Sequence, residues 1–577
     1  MNRNSVFIHT YGCQMNERDS EELLGILVAQ GYTVAGQAEQ ADVILLNTCS
    51  VRGHAEERAY GKMGELSVLK RQRPELVLGI IGCMAKLHQE RIFKRLPMVD
   101  LIAGPAELYD LPYLLAEIQE KRQTSDIRLQ TSEKVMAIGR QFRPLERKPA
   151  GDYRAPGVTA FVTIMEGCDK SCAYCIVPMT RGQEISRPAE EILEEIEQLV
   201  ASGYRDITLL GQNVNSYGKR FPDGSGYKGP LGRLRLLEDD PDSLLDFPAL
   251  LRMIDAVLQD ASGSRRDGTP VLPPAEVGVP IRPDARFAPA WLRSLGAPPP
   301  PFTHMAGSRR PPSLFELRSD RCEALAKQGR PHGTPPRWRD RKDSEPLARR
   351  TLGRSAVRIR FTTSHPFDAT ERLFEAMRDC PSVCEALHLP VQSGSTRILR
   401  AMRRGYTREA YLEKIEALRR LVPDVSLSTD LIVGFPGETD EDFQQTLTLM
   451  REVEYDNAYI FKYSPRPGTD AAAREDGVPQ EVKEERNQVL LSLQDDASLK
   501  RHQQFEGRPV EVLIEGPGKH PGQLFGRARG NHGVILDGPP ELVGRLVDVT
   551  ITRATAHTLF GTQDSRLKTQ DLLCATS

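Results

Sequence analysis

Residues 1–122 alternate between short apolar runs and segments with helical periodicity. Each run has the length of a buried strand, and in each following segment apolar residues recur every three or four positions. The four runs are SVFIHTYGC, ADVILLNTC, LVLGIIGCM and VDLIAGP. Because strands that alternate with helices pack as a parallel sheet covered on both faces, we expect a doubly wound α/β domain here.

The alternation resumes in residues 157–481, after a polar segment at 123–156 that we interpret as a linker. Six strand-like runs with helical segments between them predict a partial barrel of six βα units. The runs are TAFVTIMEG, DITLLGQN, VRIRFTTSH, EALHLPVQ, SLSTDLIVG and AYIFKYS. In such a barrel the chemistry lies at the carboxyl ends of the strands.

Residues 260–355 interrupt the barrel pattern. They are dense in Pro and Arg, as in GAPPPPF and RPHGTPPRWRDR, and no periodicity is sustained. This composition predicts a disordered insertion in one βα connection. A nucleic-acid-binding arm and a stretch not shaped by selection stay open as alternatives.

The end of the chain predicts a third kind of structure. A helix over residues 482–506 leads into residues 507–565, where VEVLIEG, GVILDG and LVDVTITRA are strand-like and separated by Gly-rich turns. Short strands joined by such turns indicate a small β-barrel. Residues 566–577 form a tail.

Composition narrows the class of protein. A chain of 577 residues is too long for one core, and its net charge of -2 means that any RNA-binding surface must be local. It contains no run of about 18 apolar residues, so we expect no membrane span. The start MNRNSVFIHTYGC is unlike a signal peptide, so we expect the cytosol. There the ten cysteines are metal ligands, catalytic groups or buried residues rather than disulfides.

Three cysteines follow the first strand of the predicted barrel. Cys168, Cys172 and Cys175 have the spacing C-x3-C-x2-C, which is one thiol short of a zinc site built from four cysteines. An iron–sulfur cluster tolerates this shortage, because three thiolates can hold three irons of [4Fe-4S] and leave the fourth open. An open iron can bind a substrate.

Three further cysteines end the first three strands of the N-terminal domain. Cys13, Cys49 and Cys83 therefore share the carboxyl edge of a parallel sheet, where α/β proteins bind their ligands. Each one taken singly is more typical of a buried apolar cysteine. Taken together, they predict a second cluster with three thiolate ligands.

Longer motifs around these cysteines resemble those of the MiaB-type tRNA methylthiotransferases, a family of the radical S-adenosylmethionine (SAM) superfamily. The match runs from about Val6 to Thr469, the C-terminal barrel resembles the RNA-holding TRAM module, and only the insertion departs from the pattern. The motifs are YGCQMNERDSE, NTCSVRGHAEERAYGKMG, GCMAK, GCDKSCAYCIVPMTRGQEISRP, LLGQNVNSYG, RFTTSHP, LHLPVQSGS, TDLIVGFPGETDEDF and YSPRPGT.

The resemblance implies two [4Fe-4S] clusters and SAM as cofactors. It assigns the SAM-binding cluster to Cys168, Cys172 and Cys175. It assigns an auxiliary cluster, with a part in catalysis, to three other residues: Cys13, Cys49 and Cys83. An aromatic residue at the position of Tyr174 lies beside the adenine of SAM in this superfamily.

Other motif residues have expected contacts with SAM or substrate. Ile432 and Gly434 should line the adenine side of SAM through backbone contacts. Gln212, Asn213 and Gln392 lie at strand ends and face either SAM or the substrate, with a polar rim satisfied inside the protein as the alternative. The candidate RNA-binding residues of the C-terminal barrel are Lys519, Arg527, Arg529, Arg545 and Arg553. For each of these, an ordinary solvated surface is the alternative.

By resemblance, the reaction adds a methylthio group to C2 of N6-isopentenyladenosine at position 37 of tRNA. The expected partners are the tRNA anticodon loop and an electron donor such as flavodoxin or ferredoxin. The sulfur donor is not indicated, and we expect a monomer. Alternative targets are threonylcarbamoyladenosine-37 of tRNA and an aspartate of a ribosomal protein. A non-enzymatic iron–sulfur or RNA-binding protein is a third reading, against which all six ligand cysteines argue.

Overall fold

The computed structural model describes residues 5–50, 53–124, 134–139, 153–154, 156–221, 245–262 and 356–563. They belong to one compact unit of the chain. The predicted insertion falls almost entirely outside the described residues, and the tail falls wholly outside them. Within the described ranges, no helix combines the length and apolar character needed to span a bilayer.

A six-stranded parallel sheet with the order β2-β1-β3-β4-β5-β6 forms the N-terminal domain. Separate apolar clusters cover its two faces, which confirms the predicted doubly wound fold. The strands are β1 Ser5–Tyr11, β2 Thr33–Val34, β3 Val43–Thr48, β4 Val77–Gly82, β5 Leu101–Ala103 and β6 Val135–Ala137. The helices are α1 Gln14–Ala29, α2 Gly53–Gln72, α3 Cys83–His88, α4 Glu90–Arg95 and α5 Leu111–Thr124.

Strand β6 corrects one prediction. The sequence pattern placed residues 123–156 in a linker, but Val135–Ala137 pairs in parallel with Leu101–Ala103 and extends the sheet. The run VMAIG is not followed by a segment with helical periodicity, and that alternation was the signal that marked the other strands. Its pairing with β5 is a tertiary contact between segments that are distant in the sequence.

The central domain is the predicted partial barrel. Two parallel three-stranded sheets, β11-β10-β7 and β12-β13-β14, are joined by a bridge between Ile359 and Val383. The strands are β7 Thr159–Thr163, β8 Met165–Glu166, β9 Ile185–Ser186, β10 Asp206–Leu210, β11 Arg358–Thr362, β12 Ala386–His388, β13 Ser426–Val433 and β14 Asn457–Lys462. The helices are α6 Val177–Arg181, α7 Ala189–Ala201, α8 Phe247–Ser262, α9 Glu371–Asp379, α10 Thr396–Ala401, α11 Arg408–Leu421 and α12 Asp440–Val453.

Residue alternation along β13 separates the two faces of the barrel sheet. The outward residues, such as Leu427 and Leu431, are fully buried in the layer between the strands and the helices. The inward residues, such as Ser428 and Asp430, are half-buried. The outer layer therefore holds the hydrophobic core, while the inner face lines an accessible cleft.

The C-terminal domain is a closed five-stranded barrel with the order β15-β16-β17-β19-β18. Helix α13, Gln480–Gln503, connects it to the central domain. Its strands are β15 Pro509–Pro517, β16 Gln523–Ala528, β17 Gly533–Asp537, β18 Leu546–Ala554 and β19 Leu559–Gln563. The sequence pattern predicted three of these strands and missed β16 and β19, whose apolar runs are each interrupted by a glycine.

Two buried arginines join the small barrel to the central domain. Arg358 and Arg360 lie on alternate positions of β11, so both point into the barrel near the amino-terminal ends of its strands. Arg360 donates to the carbonyls of Ala528 at 2.9 Å and Arg529 at 2.8 Å, and pairs with Asp206 at 2.8 Å. The small barrel therefore covers the end of the cleft opposite the expected chemistry.

Candidate cluster and substrate site

The loop after β8 carries Cys168, Cys172 and Cys175. It is closed by hydrogen bonds from Cys168 N to Gly182 O at 3.1 Å and from Cys175 N to Cys172 O at 3.0 Å. Gly167 precedes the first thiol with φ of +76°, and a Cβ there would lie 1.9 Å from the carbonyl oxygen of Gln183. Only glycine fits at this position. The close backbone contact therefore fixes the start of the loop that carries the three thiols.

The three thiols share one poorly solvated environment. Burial raises the pKa of Cys168 to about 12 and that of Cys175 to about 11. The thiolates of Cys175 and Cys172 raise the pKa of Cys168 further, and the thiolate of Cys172 raises that of Cys175, so the three sulfurs lie within electrostatic reach of one another. Thiols must lose their protons to bind a metal cluster, so the raised pKa values of Cys168 and Cys175 oppose the thiolate form until a cluster binds.

Two donors approach the sulfur of Cys172. Arg404 Nη1 lies 3.3 Å from it and His365 Nε2 lies 3.7 Å from it. The Nδ1 atom of His365 accepts a hydrogen bond from Phe367 N at 3.2 Å, so the proton of the neutral ring is on Nε2 and points to the sulfur. Burial, helped by Arg404, lowers the pKa of His365 to about 2, which keeps the ring neutral.

Cys13, Cys49 and Cys83 come together as the sheet order predicts. Strands β1, β3 and β4 are neighbours, and Thr48 of β3 is in register with Tyr11 on one side and Gly82 on the other. Each cysteine follows one of these paired positions by one or two residues. The three thiols therefore lie at one edge of the sheet.

The electrostatics of this second triplet differ from those of the first. A hydrogen bond with Cys49 is the main cause that lowers the pKa of Cys13 to about 6, and Arg181 lowers it further. Burial raises the pKa of Cys83, against the lowering effect of the same arginine. Arg181 thus supplies a buried positive charge that favours thiolates at this edge.

Asn16 and Asn47, which the sequence motifs did not mark as site residues, hold the loops of the second triplet. Asn16 Nδ2 donates to Asn47 Oδ1 at 2.8 Å, and Asn16 Oδ1 accepts from Cys13 Sγ at 3.2 Å. Gly82 has φ of +90°, and a Cβ there would lie 2.4 Å from Asn47 Oδ1. A polar residue at the end of the apolar run VILLNT was the available signal for Asn47.

Helix α1 fixes the two triplets relative to each other. It begins directly after Cys13 and presents charged residues to the central domain. Asp19 pairs with Arg181 at 2.5 Å, and Arg18 pairs with Glu195 at 3.1 Å. Because Arg181 follows Cys175 by six residues, this buried contact joins the first cysteine loop to the second.

Tyr174 and Ile432 pack against the same small apolar cluster, which includes Phe435. The predicted neighbours of the SAM adenine are therefore close together beside the first cysteine loop. Gly434 has φ of +69°, and its N–H donates to Glu438 at 2.7 Å. That N–H already has a partner within the protein.

The three polar candidates have different surroundings. Gln212 Oε1 accepts from Gly167 N at 2.5 Å, so it supports the start of the first cysteine loop. Asn213 is buried. Its Oδ1 accepts from His365 N at 3.1 Å and its Nδ2 donates to Asp368 Oδ2 at 2.6 Å, so its side chain has partners within the protein. Gln392 adopts φ of +75° and is buried beside β13.

The five candidate RNA-binding residues differ in how exposed their side chains are. Lys519, Arg545 and Arg553 are exposed, and the guanidinium of Arg553 lies 3.8 Å from the centroid of the Phe560 ring. Arg527 is half-buried and bonds Glu515 at 2.9 Å. The assignment of Arg529 to RNA is wrong, because its buried side chain pairs with Glu385 at 2.7 Å inside the domain interface.

The residues present fit iron–sulfur clusters. In the part of the chain that the structure describes, no three His, Cys, Asp or Glu side chains converge as ligands of a single metal ion. A cluster distributes its thiolates over different irons, which is a wider arrangement than the ligand sphere of one ion. Each triplet also has a buried arginine beside it, Arg404 or Arg181, which suits an anionic thiolate cluster.

Comparison with known proteins defines the class. Family models match residues 5–104 (uncharacterized protein family UPF0004), 162–256 with 333–450 (radical SAM superfamily) and 503–562 (TRAM domain). The fold and the first cysteine loop thus define a radical SAM enzyme, whose cofactors are a [4Fe-4S] cluster and SAM.

Three relatives named tRNA-2-methylthio-N(6)-dimethylallyladenosine synthase are each 38% identical to this chain. The relative from Geobacillus thermodenitrificans (strain NG80-2) covers 96% of this chain and 82% of its own. The match to the relative from Carboxydothermus hydrogenoformans (strain ATCC BAA-161 / DSM 6008 / Z-2901) covers 97% of this chain and 99% of the relative. The match to the relative from Caldicellulosiruptor saccharolyticus (strain ATCC 43494 / DSM 8903 / Tp8T 6331) covers 96% of this chain and 91% of the relative. The chain belongs to the family of these synthases.

Proposed function

We propose that this enzyme adds a methylthio group to C2 of N6-isopentenyladenosine at position 37 of tRNA. The observation that carries the proposal is the presence of two thiol triplets, fixed relative to each other by helix α1 and Arg181. The names of the relatives and the TRAM match support tRNA as the substrate. The resemblance found in the sequence motifs supports the same base.

The target carbon explains why two clusters are needed. The C2–H bond of adenine offers no acidity that a side-chain base could use, so general acid–base catalysis cannot open it. A cluster held by the first triplet would supply the electron for reductive cleavage of SAM, and a cluster held by the second triplet would supply sulfur. We assign Cys168, Cys172 and Cys175 to the first cluster. The auxiliary cluster is assigned to Cys13, Cys49 and Cys83.

The other residues place, orient and shield the reactants. Arg404 and His365 donate to Cys172, and such donors tune the electronics of a cluster ligand. We assign the adenosine side of SAM to Tyr174, Ile432 and the backbone of Gly434. Gln212, Asn213 and Gln392 surround the same strand ends, where the first two hold the loops that carry these groups.

The RNA contacts belong to the exposed side of the small barrel. Lys519, Arg545 and Arg553 are exposed cations that suit backbone phosphates. We propose that the enzyme acts as a monomer in the cytoplasm. An electron donor such as flavodoxin or ferredoxin completes the system.

Nucleoside analysis of tRNA tests the proposed function. Transfer RNA from cells that lack this protein is compared with tRNA from cells in which the gene is restored. We expect 2-methylthio-N6-isopentenyladenosine only when the protein is present. A methylthio group on threonylcarbamoyladenosine, or on a ribosomal-protein aspartate with no change in the tRNA, would establish the alternative targets instead. An active-site variant with all six ligand cysteines replaced is the negative control.

A further inference from the structure

Strand β14 exposes two aromatic side chains on the inner face of the central barrel. Tyr459 is 46% exposed and Phe461 is 38% exposed, although both belong to a regular strand. The residues that alternate with them, Ala458 and Ile460, pack into the hydrophobic layer beneath the helices. Tyr459 and Phe461 therefore point to the opposite side, into the cleft.

Polar residues of the neighbouring strands surround Tyr459. It is in register with Asp430 of β13, and its ring centroid lies 5.9 Å from that of His388 on β12. His388 Nδ1 lies 3.0 Å from Ser428 Oγ, and its Nε2 lies 3.5 Å from Asp430 Oδ1. His388 is thus held by Ser428 and lies beside the carboxylate of Asp430, whose side chain is 27% exposed.

This surface connects the chemistry with the small barrel. Towards the carboxyl ends of the strands, Phe461 is in register with Ile432. Ile432 packs with Tyr174 beside the first cysteine loop. At the amino end of β13, Ser426 lies against Gly530 of the small barrel. A Cβ added at Gly530 would be 3.3 Å from the Ser426 side chain. A group that enters the cleft from the edge of β14 therefore lies between the predicted SAM site and the TRAM domain.

We infer that Tyr459 and Phe461 form a stacking platform for the unpaired adenine that the enzyme modifies, with Asp430 accepting a hydrogen bond from its exocyclic nitrogen. Exposed aromatic rings are the usual surface on which proteins stack single-stranded bases. Adenine keeps one N–H donor at N6 after a single alkylation there, and a carboxylate is its natural acceptor. The inference rests on the proposed function in one respect, namely that the substrate base is an adenine in an RNA loop.

RNA binding by the reconstituted holoprotein tests the platform. The probes are two anticodon stem-loops, one with N6-isopentenyladenosine at position 37 and one with an abasic site there. Fluorescence anisotropy gives Kd for each. We expect Tyr459→Ala and Phe461→Ala to weaken binding of the intact RNA about 5- to 100-fold and to leave Kd for the abasic RNA unchanged. Asp430→Asn should weaken only the intact RNA, by about fivefold.

Matched variants separate stacking from folding. Tyr459→Phe keeps the ring and should bind the intact RNA like the wild type. Tyr113→Ala removes an aromatic side chain that is 76% exposed in the N-terminal domain, and should change neither Kd. Iron content and circular dichroism should match the wild type for every variant.

Three results would overturn the platform. One is a wild-type protein that binds both RNAs equally well, and a second is an alanine variant that keeps its preference for the intact RNA. The third is equal weakening of both RNAs. An unchanged Kd for Asp430→Asn would remove this residue from the inference. Product formation is measured separately, so a wild type that binds the base but makes no methylthio product contradicts the proposed function and leaves the platform standing.

Discussion

Replacement of Arg529 by alanine tests whether this residue holds two domains together or binds RNA. Its guanidinium makes two hydrogen bonds to Glu385, at 2.7 and 3.2 Å, and one to the carbonyl of Val383 at 2.6 Å. The arginine side chain is 8% exposed and that of Glu385 is 19% exposed. A phosphate group therefore cannot reach Arg529 unless the small barrel separates from the central domain.

The expected loss of stability follows from these contacts. Removing one partner of a buried ion pair costs about 3–5 kcal/mol, because the other charge loses that partner while it stays buried. Water reaches part of Glu385 in the variant, so we expect the lower end of this range, about 3 kcal/mol in the free energy of unfolding. The Val383 carbonyl loses its donor as well, which contributes to the same total.

Urea unfolding of the metal-free protein measures this loss, followed by fluorescence and by hydrogen exchange of residues 509–563. A double-mutant cycle of Arg529→Ala with Glu385→Ala should give a coupling energy of at least about 1.5 kcal/mol. Arg553→Ala is the matched control, because this arginine is exposed. It should change stability by less than about 1 kcal/mol, the value of its exposed contact with the Phe560 ring. It should also weaken RNA binding and lower the slope of log K against log salt by about 0.7.

The opposite behaviour of the two variants would contradict the placement of Arg529 in the domain interface. Additive effects of Arg529→Ala and Glu385→Ala would show that the pair does not form in solution. A reduced salt slope for Arg529→Ala, with unchanged stability, would return this residue to the RNA-binding surface. A reduced slope for both variants, with loss of stability only in Arg529→Ala, would indicate that RNA binding needs the docked barrel.

Three further predictions concern the clusters and one buried carboxylate. Anaerobic reconstitution should give about eight irons per chain, and the triple Cys168/Cys172/Cys175→Ala variant should keep about half of them; zinc in place of iron, or full retention by the variant, contradicts the assignment. Cys13→Ala should abolish methylthio formation and leave SAM cleavage to 5′-deoxyadenosine intact, as measured by liquid chromatography; full product formation by this variant excludes Cys13 from the auxiliary site. Burial raises the pKa of Asp456, but pairing with His532 and Arg501 outweighs this effect and lowers the pKa to about 2. Because the folded pKa is below the unfolded value, this stabilisation is complete above about pH 4 and is lost as the pH falls towards 2. Asp456→Asn should therefore flatten the pH dependence of unfolding in this range, and equal curves for variant and wild type would show that the pairing has no net effect.

Local pattern and motif spacing predicted the main strands of the parallel sheets and the grouping of the cysteines into two triplets, but missed β6, β16 and β19. Alternating apolar runs predicted the parallel sheets, because a strand buried on both faces must be apolar along its length. The positions of Cys13, Cys49 and Cys83 after successive runs predicted a common edge, because parallel strands end on the same side. Both inferences need only neighbours in the sequence and the geometry of one kind of sheet.

Only the tertiary structure decided what surrounds these groups. Arg404 lies 232 positions from Cys172 and Arg181 lies 162 positions from Asp19, so no periodicity or motif connects either pair. Arg529 and Arg553 are alike in sequence, yet one is buried against Glu385 and the other is exposed, because the docking of the barrel differs between its sides. The physical reason is that burial, pairing and charge depend on which surfaces meet, and a sequence pattern reports only the face on which a residue lies.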